Sequence, residues 1–510
     1  MTSTAGDASP PIADLVAAAA RRHPQAPALV VTAERVPISY RDLLRLVDGL
    51  AARFTRGGLL PGDRVGLRTR SSTEFVVGLL AASRAGLVVV PVDPALPAAD
   101  QDARIAAAGA RVILIEADKA GETARPSVPC WPISVTADPH TSSVRLDTTT
   151  APYPSAATPA GLAPDDALIM FTGGTTGSPK MVPWTHGNIA RAVGSVIATY
   201  QLGPQDATVA VMPLFHGHGL IAALLSTLAS AGTVLLPARG RFSADTFADD
   251  VRAAHATWFT AVPTIHQILL RTAAVPRPTR LRFIRSCSAA LNPQTARALR
   301  AEFGAPVLSA YGMTEATHQV SSTTDTRQVP PAGLVGRSTG PEIRIVGADG
   351  RTCPPDVVGE VWLRGRTVVR GYLGDAAATA RTFTDGWLHT GDLGSLSAGG
   401  ELTLHGRLKE LINRGGEKIS PERVEAVLAG HPDVAEAAVF GVPDPIYGET
   451  VAALVVPAPS ASPNPTVLAE FCRERLAAYE VPATIELTSA LPHTAKGSVD
   501  RRAVAERFRR

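Results

Sequence analysis

The sequence predicts an α/β fold in more than one domain, and three observations predict it. The chain has 510 residues, more than one ordinary core holds. Short apolar strand patterns alternate with helical patterns over most of its length, which argues for parallel sheets with crossover helices. After residue 340 the alternation gives way to a meander pattern, and the last hundred residues read as a small α+β region.

The elements follow in order. IADLVAAAARR has apolar residues at helical spacing. DRVGLRT and GLVVVPVDP read as short buried strands, with STEFVVGLLAASRAG a helix between them. Residues 119–165, including TADPHTSSVRLDTTTAPYPSAATP, are rich in Pro, Ser, Thr and Ala and read as a loop or domain seam. Alternation resumes at DALIMF and continues through AGTVLLP, ATWFTAVP, LRFIRSCSAA and APVLSAYG, each a strand that stops at small or turn residues. EIRIVGADGRTCPPDVVGEVWLRG reads as a meander with ADGR as a hairpin turn. A helix with two or three strands follows residue 420, then the loop PAPSASPNP and a last helix pair. In open α/β sheets ligands bind beyond the carboxyl ends of the strands, so strand-end residues are the functional candidates.

Composition narrows the function classes. The 49 Lys and Arg balance 46 Asp and Glu to a net +3, without a basic run interleaved with aromatics, so a nucleic-acid partner is not expected. Cys130, Cys287, Cys353 and Cys472 are spaced for neither a zinc site nor a disulfide framework and suit a reducing, cytoplasmic compartment. The start, MTSTAGDASPPIADL, carries no signal-peptide pattern. The longest apolar stretch, LIAALLSTLASAGTVLLP, is interrupted by Ser, Thr and Gly and reads as a buried helix entering a strand, so no membrane span is expected.

MFTGGTTGSPKMVPWTHGN, residues 170–188, places a Gly/Thr-rich loop and a lysine directly after an apolar strand. Backbone N–H groups in such a turn converge on an anion because no side chain blocks the approach. Thr172, Thr175 and Thr176 add hydroxyl donors and Lys180 a mobile cation. A plain surface turn has similar composition, but the preceding strand and the lysine favour phosphate. The pattern G-x-x-x-x-G-K-[ST] is absent, and so is G-x-G-x-x-G.

The loop resembles the phosphate loop of the AMP-forming acyl/aryl-CoA synthetase superfamily, with Gly173 for the usual serine and Met181 for the usual glycine. Four further segments resemble that family's motifs: CSAAL, YGMTEAT, GWLHTGDLG and GRLKELINRGGEKISPERVE. The resemblance implies a large N-terminal adenylation domain, residues 1–408, of α/β sheets with a β-barrel-like subdomain, and a small mobile α+β C-terminal domain, residues 409–510. It also implies an enzyme using ATP, Mg2+ and coenzyme A to convert a carboxylic acid first to an acyl-adenylate and then to a thioester. Nucleotide contacts would come from Thr172, Gly173, Gly174, Thr175, Thr176, Gly177 and Lys180; from Ser288, Ala289 and Ala290; from Tyr311, Gly312, Met313 and Thr314; and from Asp392 and Arg407. Glu315 would hold Mg2+, and Lys409 would be the hinge. The family's final catalytic lysine falls on Ser498 in LPHTAKGSVDRR, and Lys496, two residues earlier, is the nearest cation. A serine supplies no positive charge, so a weakened adenylation step is expected.

PLFHGHG, CSAAL and MTEATH place His216, His218, Ser288 and His318 near the acid. A long-chain pocket is apolar throughout, whereas imidazoles and a hydroxyl suit a second carboxylate. The same segments resemble the oxalate–CoA ligase branch, which implies a small dicarboxylate held by His218, Ser288 and His318. A fatty acyl-CoA ligase and a nucleotide- or acyl-CoA-binding protein with little catalysis are the alternatives.

Overall fold

Two sheets carry the large unit and a third carries the small one. The computed structural model describes residues 10–119, 128–138, 140–154, 158–172, 179–272, 280–458, 461–493 and 499–508.

The first sheet has seven strands in the order Ser142–Leu146, Cys130–Ala137, Val112–Glu116, Arg64–Arg68, Val88–Pro91, Asp166–Phe171 and Met181–Thr185. Its interior pairs are parallel and its two edge pairs antiparallel. Strands covered on both faces need continuous apolar runs, and Val112–Glu116 is buried at every position. The two strands within 130–146 correct the loop reading of residues 119–165. Trp131 and Ile133 are fully buried there, and the strand's parallel pairing with Val112–Glu116 outweighs its Pro- and Ser-rich composition.

The second sheet has fourteen strands. Pro27–Val31, Thr233–Leu235, Ala207–Val209, Trp258–Ala261, Phe283–Ser286 and Val307–Met313 run parallel. From Val307–Met313 onward the pairing is antiparallel, through His318–Ser322, Leu334–Ser338, Glu401–Arg407, Trp387–Leu396 and Gly359–Arg364 to Glu342–Val346. The expected meander is this antiparallel portion. The apolar stretch at 220–237 is a π-helix, His218–Leu225, continued by the α-helix Ser226–Ala229 and the strand Thr233–Leu235. Among the described residues no helix is long and apolar enough to cross a membrane.

The helix His186–Tyr200 enters through a capping box: the Asn188 N–H donates to Thr185 Oγ1 at 2.9 Å, and the Thr185 N–H donates to Asn188 Oδ1 at 3.1 Å. Its last residue, Tyr200, packs against Trp258 and Phe283 under the second sheet.

The small unit pairs Glu417–Ile419, Ile412–Arg414, Gly448–Pro457 and Val434–Asp444 in order, with Thr484–Leu487 beside Gly448–Pro457. Helices Pro421–Leu428 and Pro465–Arg473 contribute Val424, Leu428, Leu468 and Cys472 to a core of its own. The last helix, Arg501–Phe508, buries Val504 against Ala438, Phe440 and Leu454 on the opposite face.

Candidate active site

One β-hairpin organises the site. Strand Val307–Met313, the turn Thr314–Ala316 and strand His318–Ser322 carry Tyr311, Glu315 and His318 into three adjoining clusters. The hairpin is tight. A Cβ on Gly312 would stand 1.8 Å from the His318 carbonyl oxygen, so only glycine allows this approach. Thr317 and His318 both adopt left-handed backbone, with φ of 50° and 81°. Successive non-glycine residues in that region cost roughly 1–3 kcal/mol each and mark functional turns.

The first cluster is Tyr311, Asp392 and Arg407. Asp392 and Arg407 are directly paired across neighbouring strands. Arg407 Nε lies 2.9 Å from Asp392 Oδ1, and the Tyr311 hydroxyl donates to Oδ2. Asp392 is buried. Burial pushes its carboxyl up from the ordinary range, against the pull of Arg407 and the Tyr311 hydroxyl.

The second cluster is Glu315, Tyr372 and Lys180. The Tyr372 hydroxyl donates to Glu315 Oε1 at 3.0 Å, and Lys180 Nζ sits 4.4 Å from the Tyr372 ring centre. Lys180 closes the neck of the Gly/Thr loop: the Thr172 N–H donates to its carbonyl at 3.2 Å, and its own N–H donates to Thr172 Oγ1 at 3.4 Å. Gly173, Gly174, Thr175, Thr176 and Gly177 lie outside the described residues, as do Lys496 and Ser498. Trp184 fixes the hairpin tip by donating from Nε1 to the Thr314 carbonyl at 2.8 Å.

The third cluster lies beyond the strand ends. His218 opens the π-helix, an arrangement common at functional sites. A Cβ on the next residue, Gly219, would stand 2.3 Å from the Pro213 carbonyl oxygen. His218 Nδ1 is 3.1 Å from Ser288 Oγ, and its ring stacks on His318 at 5.3 Å. Burial, and then the neighbouring Arg285, hold both imidazoles well below their ordinary pKa, so both are neutral. Ser288 has a φ of 74°, and it lies exposed with Ala289 and Ala290 on the strip after Phe283–Ser286. His216 lies on the preceding loop, its ring edge-on to Phe215 at 4.9 Å. Lys409 is exposed in the turn Leu408–Glu410, after the strand that holds Arg407.

Sequence reasoning named most of these residues but missed Arg285, Thr260, Gln319 and Tyr200 behind the histidines, and Tyr372 beside Glu315. A second arginine, inside the strand pattern LRFIRS and after Arg282, was the signal available for Arg285. Tyr372 carried none.

The AMP-binding enzyme model matches residues 16–373, and the AMP-binding enzyme C-terminal domain model matches residues 423–498. The chain belongs to the AMP-binding enzyme family. It is an AMP-forming acyl-CoA synthetase of the oxalate–CoA ligase branch, with a large N-terminal and a smaller C-terminal domain. The oxalate–CoA ligase of Arabidopsis thaliana is 41% identical over 498 residues, covering 96% of this chain and 97% of that protein. The oxalate–CoA ligase of Saccharomyces cerevisiae is 34% identical over 529 residues, covering 94% of each. Among solved structures, ATP-bound MatB from Rhodopseudomonas palustris superposes with a TM-score of 0.84 at 28% identity, covering 97% of this synthetase and 99% of that chain. A small-molecule acid, ATP and CoA are the reactants of such a ligase.

Proposed function

We propose that this synthetase activates a small dicarboxylate, oxalate foremost, as the acyl-adenylate and passes the acyl group to coenzyme A. The observation that carries the reading is the polar wall of the acid pocket. His218, Ser288 and His318 form one polar cluster, whereas a pocket for a fatty acid is lined mostly by apolar side chains. The two oxalate–CoA ligases among its relatives support the same substrate.

The residue roles follow from the three clusters. The loop at 172–180 takes the β- and γ-phosphates, with Lys180 at its neck. Ser288, Ala289 and Ala290 line the adenine, and Tyr311, Gly312, Met313 and Thr314 follow the nucleotide towards its phosphates. Asp392 accepts from the ribose hydroxyls, with Arg407 beside it. Glu315 suits Mg2+, which binds through one or two carboxylates and substrate phosphates. Among the described residues no group of three or more acidic, His or Cys side chains could cage a metal by itself, and Tyr372 leaves Glu315 Oε2 uncommitted. Bound there, Mg2+ would supply charge neutralisation on the triphosphate.

In the first half-reaction a carboxylate oxygen attacks the α-phosphorus and pyrophosphate leaves. In the second the CoA sulfur attacks the acyl carbon and AMP leaves. Positioning and electrostatic stabilisation dominate such transfers. We infer that Ser498 weakens the first step, leaving Lys496 as the nearby cation, and that residues 409–510 swing about Lys409 between the two. Four unpaired cysteines suit a cytoplasmic setting.

The test is an acid panel read by pyrophosphate release, with mass detection of the adenylate. Oxalate is expected to give oxalyl-AMP, and activity on medium- or long-chain acids with none on oxalate overturns the reading. Ser498→Lys is expected to speed adenylation by about 100-fold, while thioester formation from preformed oxalyl-AMP keeps its wild-type rate. Wild-type adenylation as fast as that of the variant refutes the weakened first step.

A further inference from the structure

Behind the acid pocket sits a cation that no reading of the reaction uses. Arg285, on the strand Phe283–Ser286, is fully buried, and it forms no salt bridge with any described Asp or Glu. A guanidinium has five N–H groups, and here five neutral acceptors surround it. They are Tyr200 Oη at 2.9 Å, Thr260 Oγ1 at 3.0 Å, His218 Nε2 at 3.2 Å, His318 Nε2 at 3.1 Å and Gln319 Oε1 at 3.0 Å. The side chain is therefore fully committed to protein and has no donor left for a substrate.

The geometry determines proton positions on its neighbours. Arginine only donates, so both histidine Nε2 atoms must accept. At His218 a second contact is consistent with this: Thr260 Oγ1 lies 2.6 Å from Nε2, and with that nitrogen an acceptor the Thr260 hydroxyl donates to it. An Nε2 faced by two donors carries no hydrogen. Each neutral ring then carries its proton on Nδ1. His218 Nδ1–H donates to Ser288 Oγ at 3.1 Å, so the hydroxyl of the exposed Ser288 keeps its own proton for another acceptor.

We propose that Arg285 is a positioning residue that fixes His218 and His318 as Nδ1–H tautomers and thereby presents Ser288 O–H and His318 Nδ1–H as donors to the acid's far carboxylate. This rests on the dicarboxylate reading for its ligand, but the tautomer assignment stands on the protein alone. Arg285 also contributes a buried charge without a counter-ion among the described residues. Such a charge is costly until an anion arrives, so the pocket favours a dianionic acid over a monoanion. Burial and Arg285 together keep both imidazoles neutral. The other titratable groups facing this network are Tyr200, Cys287, His216 and His266.

Two measurements test it on the full-length protein. The first is a long-range proton–nitrogen spectrum of 15N-histidine protein, with His218 and His318 assigned by His218→Gln and His318→Gln variants. Both rings are expected as neutral Nδ1–H forms from about pH 6 to about pH 8; an Nε2–H or doubly protonated ring overturns the proposal. The second compares Arg285→Gln and Arg285→Lys in steady state. Arg285→Gln is expected to raise the KM for oxalate about 10- to 100-fold while the KM for ATP stays within about twofold, with Arg285→Lys intermediate. A folded Arg285→Gln with wild-type KM for oxalate overturns it. Should that variant not fold, the wild-type spectrum decides. Nδ1–H rings in a protein that activates no dicarboxylate would leave the assignment standing and remove the substrate reading.

Discussion

At Asp392 two demands oppose each other. A carboxylate that is to accept from sugar hydroxyls must be ionised, yet the residue is buried, and burial favours the neutral acid. Arg407 Nε at 2.9 Å and the Tyr311 hydroxyl pull the other way. The net direction is a raised pKa, so the carboxyl takes up its proton at a higher pH than an ordinary aspartate as the medium is acidified. Two outcomes are expected. ATP affinity should begin to fall above the usual carboxylate range on acidification, read by calorimetric titration across pH. Asp392→Asn should raise the KM for ATP about 10- to 100-fold, the loss of one charge-assisted hydrogen bond. It should change the melting midpoint little, because the burial penalty on the charge that is removed offsets the lost pairing with Arg407. An Asp392→Asn variant with wild-type ATP affinity would remove this residue from the nucleotide site.

Elements were legible where periodicity is strong, and less so where a partner decides. Helix Ile12–Arg22 and the parallel strands from Asp166–Phe171 to Val307–Met313 stand where the apolar patterns put them. The strands within 130–146 were not legible, because pairing with Val112–Glu116 creates them against their composition. The π-helical register of His218–Leu225 has no sequence signature, and the hydrogen-bond partners behind the histidines come from four separate elements. The same is true of the cluster that ties the last helix to the small unit. Arg501 bonds Glu425 at 2.8 Å, Glu422 at 3.0 Å and Glu410, three carboxylates around one cation. Burial pushes the Glu422 carboxyl up to about 7 from the ordinary 4.5, despite Arg501. A raised acid pKa means that folding disfavours the charged form. The penalty is absent below 4.5, grows between 4.5 and about 7, and is complete above that. Glu422→Gln is therefore expected to stabilise the small unit at pH 8 by about 1–3 kcal/mol, with no gain near pH 4.5. Differential scanning calorimetry at the two pH values checks it, and a lower midpoint at pH 8 would contradict the sign.

For the molecule as a whole, the proposal that the small unit faces the site in two ways, one for each half-reaction, puts the turning between two anchors. Arg407 is held to the large unit by strand pairing and its ion pair with Asp392. Glu410 is held to the small unit through Arg501. Between these two anchors stand Leu408 and Lys409, both exposed, so a turn there would break no core packing. The contacts between the units include Arg271 with Glu436 at 3.4 Å, Asn292 Nδ2 to the Ala429 carbonyl at 3.1 Å and Gln294 Nε2 to the Gly430 carbonyl at 2.9 Å. An exposed ion pair contributes about 0.2–1 kcal/mol, so contacts of this kind separate at small cost. A hinge so placed makes a sharp prediction for Lys409→Pro. Proline fixes φ near −65° and removes one torsion from the swivel without entering any core. One half-reaction should stay near its wild-type rate. The other should fall about 100-fold, the cost of reacting groups held out of alignment. Pyrophosphate release reports the first, and thioester formation from a preformed adenylate reports the second. Equal loss in both with a lowered melting midpoint would mean a folding defect. Two intact half-reactions would mean that Lys409 is not the point about which the molecule turns.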